Sequence, residues 1–419
     1  MVNEIYKKLS IKKNMQKEYK KKAENYLRTL CNVKPNRSTG SPGNRKATAF
    51  FAKNAKRNGY QTKTDLFDCV DFENGGTTLR SENKGFEVFP SPFSLGCKVK
   101  SELIIVSSVD ELSKCSCEGK ILLMKDEICA EQLMPKNFVF YNPERHKKIH
   151  SLLEAKNPAS IITATEPKPE LVGAIYPYPL IEDGDFNIPS CYCNKLVGEK
   201  LAEYEGGIFE LSMKAKRIFT KACNVIARKN PQADKKIVIC AHIDARASTP
   251  GASDNASGTA VLLLLAEMLS DYQGNNCIEI IAFNGEDHYS VAGQMDYLKR
   301  NQKNLGKIIL AINIDDVGYK KGKTSYTFYQ CSDQAKQLVK GVLSKHVELI
   351  EGEPWYNGDH MIFAQNSVET IALTSTNTAF LMKNITHTQK DKPDIIKFEK
   401  LVEIAMALKD LILNLDYKK

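Results

Sequence analysis

No stretch of this 419-residue sequence stays apolar for the ~18–20 residues that a membrane-crossing helix needs. The longest candidate, Ala260 to Leu269, is too short and contains Glu267. The start also lacks the apolar core and small-residue cleavage site of a secretory signal. Met1 to Tyr26 instead alternates lysine with scattered apolar residues, as a solvated helix does. These absences predict a cytoplasmic protein with no membrane partner. Twelve cysteines in that setting point to reduced thiols, not to a disulfide framework. Zinc-knuckle spacing is missing too. Cys115/Cys117 and Cys191/Cys193 each enclose one residue, whereas structural sites usually leave about two to four between paired ligands. No internal repeat or low-complexity segment is visible.

What is present is ordinary for a globular protein: 42% hydrophobic and 26% charged residues, enough for a full core. The net charge of +9 is concentrated near the start, in Lys7, Lys8, Lys12, Lys13, Lys17 and Lys20 to Lys22. No aromatic interleaving or nucleic-acid motif accompanies it, so a solvated helical face is predicted and no nucleic-acid partner.

Helix, loop and helix are predicted from Gln16 to Asn58, with Gly59 as a stop and a strand over Tyr60 to Cys69. From 71 to 213 short apolar runs alternate with Gly and Pro clusters, as in a small β-rich or α/β insertion. No histidine–carboxylate cluster lies there, and no catalytic residue is expected in it. From Thr220 onward strands alternate with helices: Lys236–Ala241, Ala256–Tyr272, Cys277–Phe283, Ser290–Asn301, Lys307–Ile314, Ser332–Lys345, Val368–Thr374 and Asp394–Leu415. That alternation predicts an α/β fold with a mixed, mostly parallel central sheet covered by helices on both faces.

In such sheets ligands bind at the carboxyl ends of the strands, and the polar clusters fall there. His242-Ile243-Asp244 follows one strand, Glu286-Asp287 the next, Asp315-Asp316 a third, and Thr386-His387 comes after the last. Pro250 to Gly258 adds Asp254 just before a helix. Each alone has a plain explanation: a hydrogen-bonded His–Asp pair, a solvated acidic pair, a helix cap, a surface histidine. The ordered set is harder to dismiss. Two imidazoles and several carboxylates converging on one crevice form a mixed N/O donor set that suits zinc, with manganese or cobalt as alternatives.

At these residues the sequence resembles the M28 zinc peptidases. Gly251-Ala252-Ser253-Asp254-Asn255-Ala256-Ser257-Gly258-Thr259-Ala260 is the most specific match, joined by His242-Ile243-Asp244, Glu286-Asp287, Asn313-Ile314-Asp315, Gly358-Asp359-His360 and Ile385-Thr386-His387-Thr388 with Asp391 beyond. Thr39 to Asn44 is also similar to the opening of that family. The resemblance implies an α/β/α sandwich made of 1–70 and 214–419, with a protease-associated (PA)-like domain inserted at 71–213. It implies two zinc ions bridged by Asp254, one completed by His242 and Asp315, the other by Asp287 and His387. Glu286 would be the general base and Asp244 an acceptor behind His242. Tyr356, His360 and Arg246 are substrate-contact candidates. One departure stands out: the family usually has Glu-Glu where this chain has Glu286-Asp287, one methylene shorter at the ligand.

The implied function is a co-catalytic two-zinc aminopeptidase acting on peptides. Alternatives on the same fold are a carboxypeptidase or dipeptidase, for which Arg246 or Lys383 could hold a substrate carboxylate, a glutaminyl cyclase, or a non-catalytic receptor-like relative. The last predicts a missing ligand or base, and none is missing.

Overall fold

The computed structural model describes residues 2–168 and 172–416, with side chains from residue 14 onward. The predicted solvated positions Lys7, Lys8, Lys12 and Lys13 lie outside the described side chains. The chain forms two compact units: Met1–Phe67 with Lys221–Leu381 and Ile385–Lys419, and Asp68–Thr220 with Met382–Asn384.

In chain order the strands are β1 (Gln61–Lys63), β2 (Leu66–Ser81), β3 (Lys84–Phe86), β4 (Phe89–Pro90), β5 (Cys97–Val106), β6 (Ile121–Met124), β7 (Ser160–Thr165), β8 (Ser190–Asn194) and β9 (Ile208–Cys223). They continue as β10 (Val225–Lys229), β11 (Lys236–His242), β12 (Cys277–Phe283), β13 (Ile308–Ile314), β14 (Thr324–Tyr329), β15 (Leu349–Glu351) and β16 (Thr370–Ser375).

The first unit is built on a sheet of order β1-β10-β12-β11-β13-β16-β14-β15. Its centre is parallel, β11 lying between β12 and β13 with β16 beyond. The antiparallel strands β10 and β14 make the sheet mixed. Every residue of β11 and β12 is buried, as in parallel strands covered on both faces, and the one acid among them, Glu279, pairs with Arg228 at 2.6 Å. The Gly258–Met268 helix carries four consecutive buried leucines, Leu262 to Leu265. Each contributes about 1.5–3 kcal/mol relative to exposure. A helix apolar all round has to be enclosed, and this one packs between β11 and the Val2–Cys31 and Phe398–Asp416 helices. Ser41 caps the Pro42–Arg57 helix, its Oγ accepting the Asn44 N–H at 3.0 Å. Gly59 ends it in the left-handed region, at φ +76°.

Three features depart from the sequence expectation. The strand predicted over Tyr60 to Cys69 is two strands, β1 and β2, in different sheets. The helix predicted from Ala256 starts at Gly258, because residues 252–257 form a wide turn in which Asp254 and Asn255 are not helical. Asn255 Oδ1 caps that start by accepting the Gly258 N–H at 2.9 Å. Strands β14 and β15 were not anticipated. The Thr-Ser-Tyr-Thr-Phe-Tyr run of β14 lacks an aliphatic stretch, and it is fixed by antiparallel pairing to β16, a long-range contact that local pattern does not reveal.

The second unit has its own sheet, β3-β2-β9-β5-β6-β7-β8-β4. Strands β5 to β8 are parallel, and β9 runs antiparallel to β5. Apolar clusters cover both faces, one around Leu122, Ile149 and Ile161, the other around Leu103, Ile162 and Phe209. His146 Nε2 lies 3.1 Å from Glu131 Oε1, and its Nδ1 accepts the Met134 N–H. Both ring nitrogens thus tie down the 131–134 segment. Among the described residues no helix is long and apolar enough to cross a membrane.

Candidate metal centre

The parallel register of the first unit brings the chemistry to one end of the sheet. His242 is the last residue of β11, opposite Phe283, the last of β12. Asn284, Gly285, Glu286 and Asp287 follow β12, and Asp315 follows β13. Gly285 turns the chain at φ +118°, where a side chain would be strained. His387 arrives from the segment after β16, itself at φ +65°.

The donor atoms fall into two sets that share one carboxylate. Asp254 Oδ1 lies 3.0 Å from His242 Nε2, and its Oδ2 lies 3.0 Å from His387 Nε2. On the first side Asp315 Oδ1 is 3.4 Å from His242 Nε2. On the second, Asp287 Oδ1 is 3.1 Å from His387 Nε2. The shorter aspartate at 287 therefore still reaches its partner histidine. Glu286 Oε2 stands 4.0 Å from His242 Nε2, with the side chain 25% exposed, so it borders the first set and keeps access to solvent.

This arrangement fits bound cations. His242 Nε2 and Asp315 Oδ1 are buried without a hydrogen bond of acceptable geometry. Donors about 2.0–2.2 Å from one tetrahedral ion are themselves roughly 3.3–3.6 Å apart, near the 3.0–3.4 Å spacings here. His242, Asp254 and Asp287 also offer ligand atoms within 4.8 Å of one another. Electrostatics agree. Burial pushes Glu286 well up, and Asp315, Asp287 and Asp359 add to it against the opposing His242. Asp315 is likewise raised by burial. Burial disfavours a charged His387, yet Asp287 and Asp254 outweigh it against Arg246 and hold the ring at about 10. Carboxylates crowded in this way need positive charge between them.

The surrounding residues fix these groups in place. Asp244 lies behind His242, its Oδ1 3.7 Å from the far ring nitrogen Nδ1. Its other oxygen, Oδ2, accepts the Thr39 hydroxyl at 2.9 Å and the Asp287 N–H at 3.1 Å. Asp244 thus touches both halves of the site. Asp391 accepts the backbone N–H of Ser253 at 2.7 Å and of Asp254 at 3.1 Å. Gly258 lies against β13, where a Cβ would come within 2.4 Å of the Ile314 carbonyl oxygen.

One contributor was not singled out in the sequence. Arg37 is buried and donates to the carbonyls of Ile243 (3.0 Å), Pro250 (2.8 Å) and Gly251 (2.9 Å). It closes both ends of the loop between His242 and Asp254. An arginine within the turn-rich Asn36–Asn44 segment was its only signal. Replacing Arg37 with Ala removes a donor from three carbonyls, of which that of Gly251 keeps the Ala256 N–H at 3.0 Å, and is expected to destabilise the protein by roughly 2–5 kcal/mol. Cation affinity should fall with it. Arg37→Lys should recover only part of the loss, since an ammonium lacks the planar fork. Thermal melts and ion titration of both variants check this, and unchanged values would refute the clamp.

The substrate-contact candidates sit differently. Tyr356 is 68% exposed, its ring edge-on to Tyr329 at 6.2 Å. His360 is fully buried, with Nε2 2.9 Å from the Trp355 carbonyl and the ring against Trp355 and Tyr329. Burial lowers it to about 4, so the ring is neutral and props the Trp355 segment from beneath. Arg246 is engaged with Asp287: its N–H donates to Oδ2 at 3.2 Å, and its Nε lies 3.4 Å from Oδ1.

Comparison with known proteins places this site in a wider fold family. Residues 224–412 match the model of peptidase family M28. Aminopeptidase YwaD of Bacillus subtilis is 29% identical over 166 residues, which is 38% of this chain. The chain spans about a third of that relative's length, 35%. Two solved structures share the fold across nearly the whole chain. An aminopeptidase from Aneurinibacillus sp. strain AM-1 has a TM-score of 0.73 at 21% identity, covering 94% of this chain and 93% of its own. BSAP, a zinc aminopeptidase from Bacillus subtilis, has a TM-score of 0.73 at 20% identity, covering 96% and 95%. Residues 224–412, which carry His242, Asp254, Glu286, Asp287, Asp315 and His387, match peptidase family M28.

Proposed function

We propose that this protein is a two-metal aminopeptidase that removes N-terminal residues from peptides. The observation carrying this reading is the Asp254 carboxylate, whose two oxygens each face one imidazole at 3.0 Å, each imidazole having a further aspartate of its own. In this reading His242, Asp254 and Asp315 hold one ion, and Asp254, Asp287 and His387 the other. The nitrogen and oxygen donors suit zinc, and manganese and cobalt are also compatible with them. Bound there, the cations would polarise the scissile carbonyl and acidify water. Glu286 is the base: part-exposed beside the first donor set, it takes the water's proton and hands it to the departing amine. Asp244 orients His242 from behind, in the manner of an outer-shell carboxylate. Tyr356, exposed on its loop, is the proposed donor to the developing oxyanion.

Two further assignments accompany this reading. Segment 71–213 is read as a PA-like insertion, on the strength of its parallel β5–β8 core. Twelve cysteines, none of them in a disulfide, fit a reducing cytosol. The carboxypeptidase alternative needs a cation for the substrate's carboxylate, and the pairing of Arg246 with Asp287 argues against it in that role.

A panel of peptides with free and N-acetylated termini, assayed with zinc, manganese or cobalt, tests the reading. Cleavage of the free peptides alone is expected. Cleavage of acetylated peptides from the C-terminus would instead establish the carboxypeptidase.

A further inference from the structure

Arg246 sets the two halves of the centre apart. On the Asp315 side, the oxygen Asp315 Oδ1 is buried without a hydrogen bond and lies 3.4 Å from the imidazole of His242. On the Asp287 side the corresponding oxygen, Oδ1, has the Arg246 guanidinium Nε at 3.4 Å as well as His387 Nε2 at 3.1 Å. Asp287 is also held by groups that do not depend on the Arg246 side chain. The Arg246 backbone N–H donates to Oδ2, and Asp287's own N–H donates to Asp244 Oδ2. The carboxylate would therefore keep its place if the guanidinium were removed. What the guanidinium adds is a permanent positive charge beside the oxygen that would bind the ion.

We infer that Arg246 is a positioning residue that makes the Asp287/His387 half the weaker of the two metal sites, so that this ion is the more readily exchanged one. The inference rests on the two-metal reading above. Its physical basis is direct: a cation already sharing a ligand oxygen repels a second cation approaching it, most strongly where water is excluded. The short stem of Asp287 reinforces the effect, because a longer ligand could swing away from the arginine and this one cannot. Outer-shell partners commonly change metal affinity by about 10–100-fold, and the expected contrast is of that order.

The test is a chelator-buffered zinc titration of the full chain, with bound metal counted by mass spectrometry and no turnover assay involved. The wild-type chain should take up two ions with separate dissociation constants. His387→Ala should lose the weaker one and retain the tighter. Arg246→Met keeps the stem and the backbone N–H but removes the charge, and should tighten the weaker ion about 10-fold while leaving the tighter one unchanged. Arg246→Lys should behave like the wild type. Loss of the tighter ion in His387→Ala would overturn the inference, as would an unchanged or weakened second constant in Arg246→Met. A wild-type chain that binds no more than one ion would count against the two-metal reading itself.

Discussion

Glu286→Gln is expected to lower kcat by roughly 10²–10⁴-fold, the range for losing a positioned general base, while metal content stays at two ions per chain. The substitution keeps shape and volume and removes only the ability to accept a proton. Glu286 lies 4.0 Å from His242 Nε2, beyond the 3.0–3.4 Å spacings of the donor atoms themselves. It stands next to Asp287 in sequence, so in the proposed reading the turn after β12 would deliver a ligand and a base together. Paired measurements of turnover and bound metal separate these roles. A variant that stays active has its base elsewhere, and one that loses its metal has Glu286 as a ligand.

The second large effect concerns the shared carboxylate. Asp254→Ala should reduce bound zinc from two ions to fewer than one and bring turnover to background. It removes an oxygen from both donor sets at once, leaving each imidazole with a single aspartate. Asp315→Ala should cost only the ion on the His242 side. The Asp254 turn itself should survive substitution. Its backbone N–H is held by Asp391, the loop before it by Arg37, and Asn255 Nδ2 donates to the Ile314 carbonyl at 2.8 Å. Melting curves should therefore show a folded variant. Two ions retained by Asp254→Ala would remove the bridge from the account.

Much of this was legible in the residues. The alternation after Thr220 predicted the parallel centre of the sheet because β11, β12 and β13 are mostly apolar, interrupted within the strands only by Glu279 and Asn313 and bounded by Lys236 and His242. Their polar sequels fell at one end because parallel strands share a direction. The part of the sheet beyond β16 was not legible: β14 is written in Thr, Ser, Tyr and Phe and is held by pairing with β16 and β15. Asp254 is visible as a motif, but the turn that holds it is not. The helix expected from Ala256 gives way to a wide turn, and Asp254 lies inside that turn, where its two oxygens can face opposite imidazoles. Arg37 was hidden because its partners are carbonyls 206 to 214 residues away. Arg246 illustrates the same limit. Its closeness to His242 in sequence made it a substrate contact on paper, whereas its side chain lies beside Asp287.

The most direct measurement is anomalous diffraction at the zinc edge from a crystal of the zinc-loaded protein. Two peaks are predicted, one on each side of the Asp254 carboxylate: one bonded to His242 and Asp315, the other to His387 and Asp287, with ligand distances of about 2.0–2.2 Å. A single peak, or two peaks that do not share Asp254, would contradict the account.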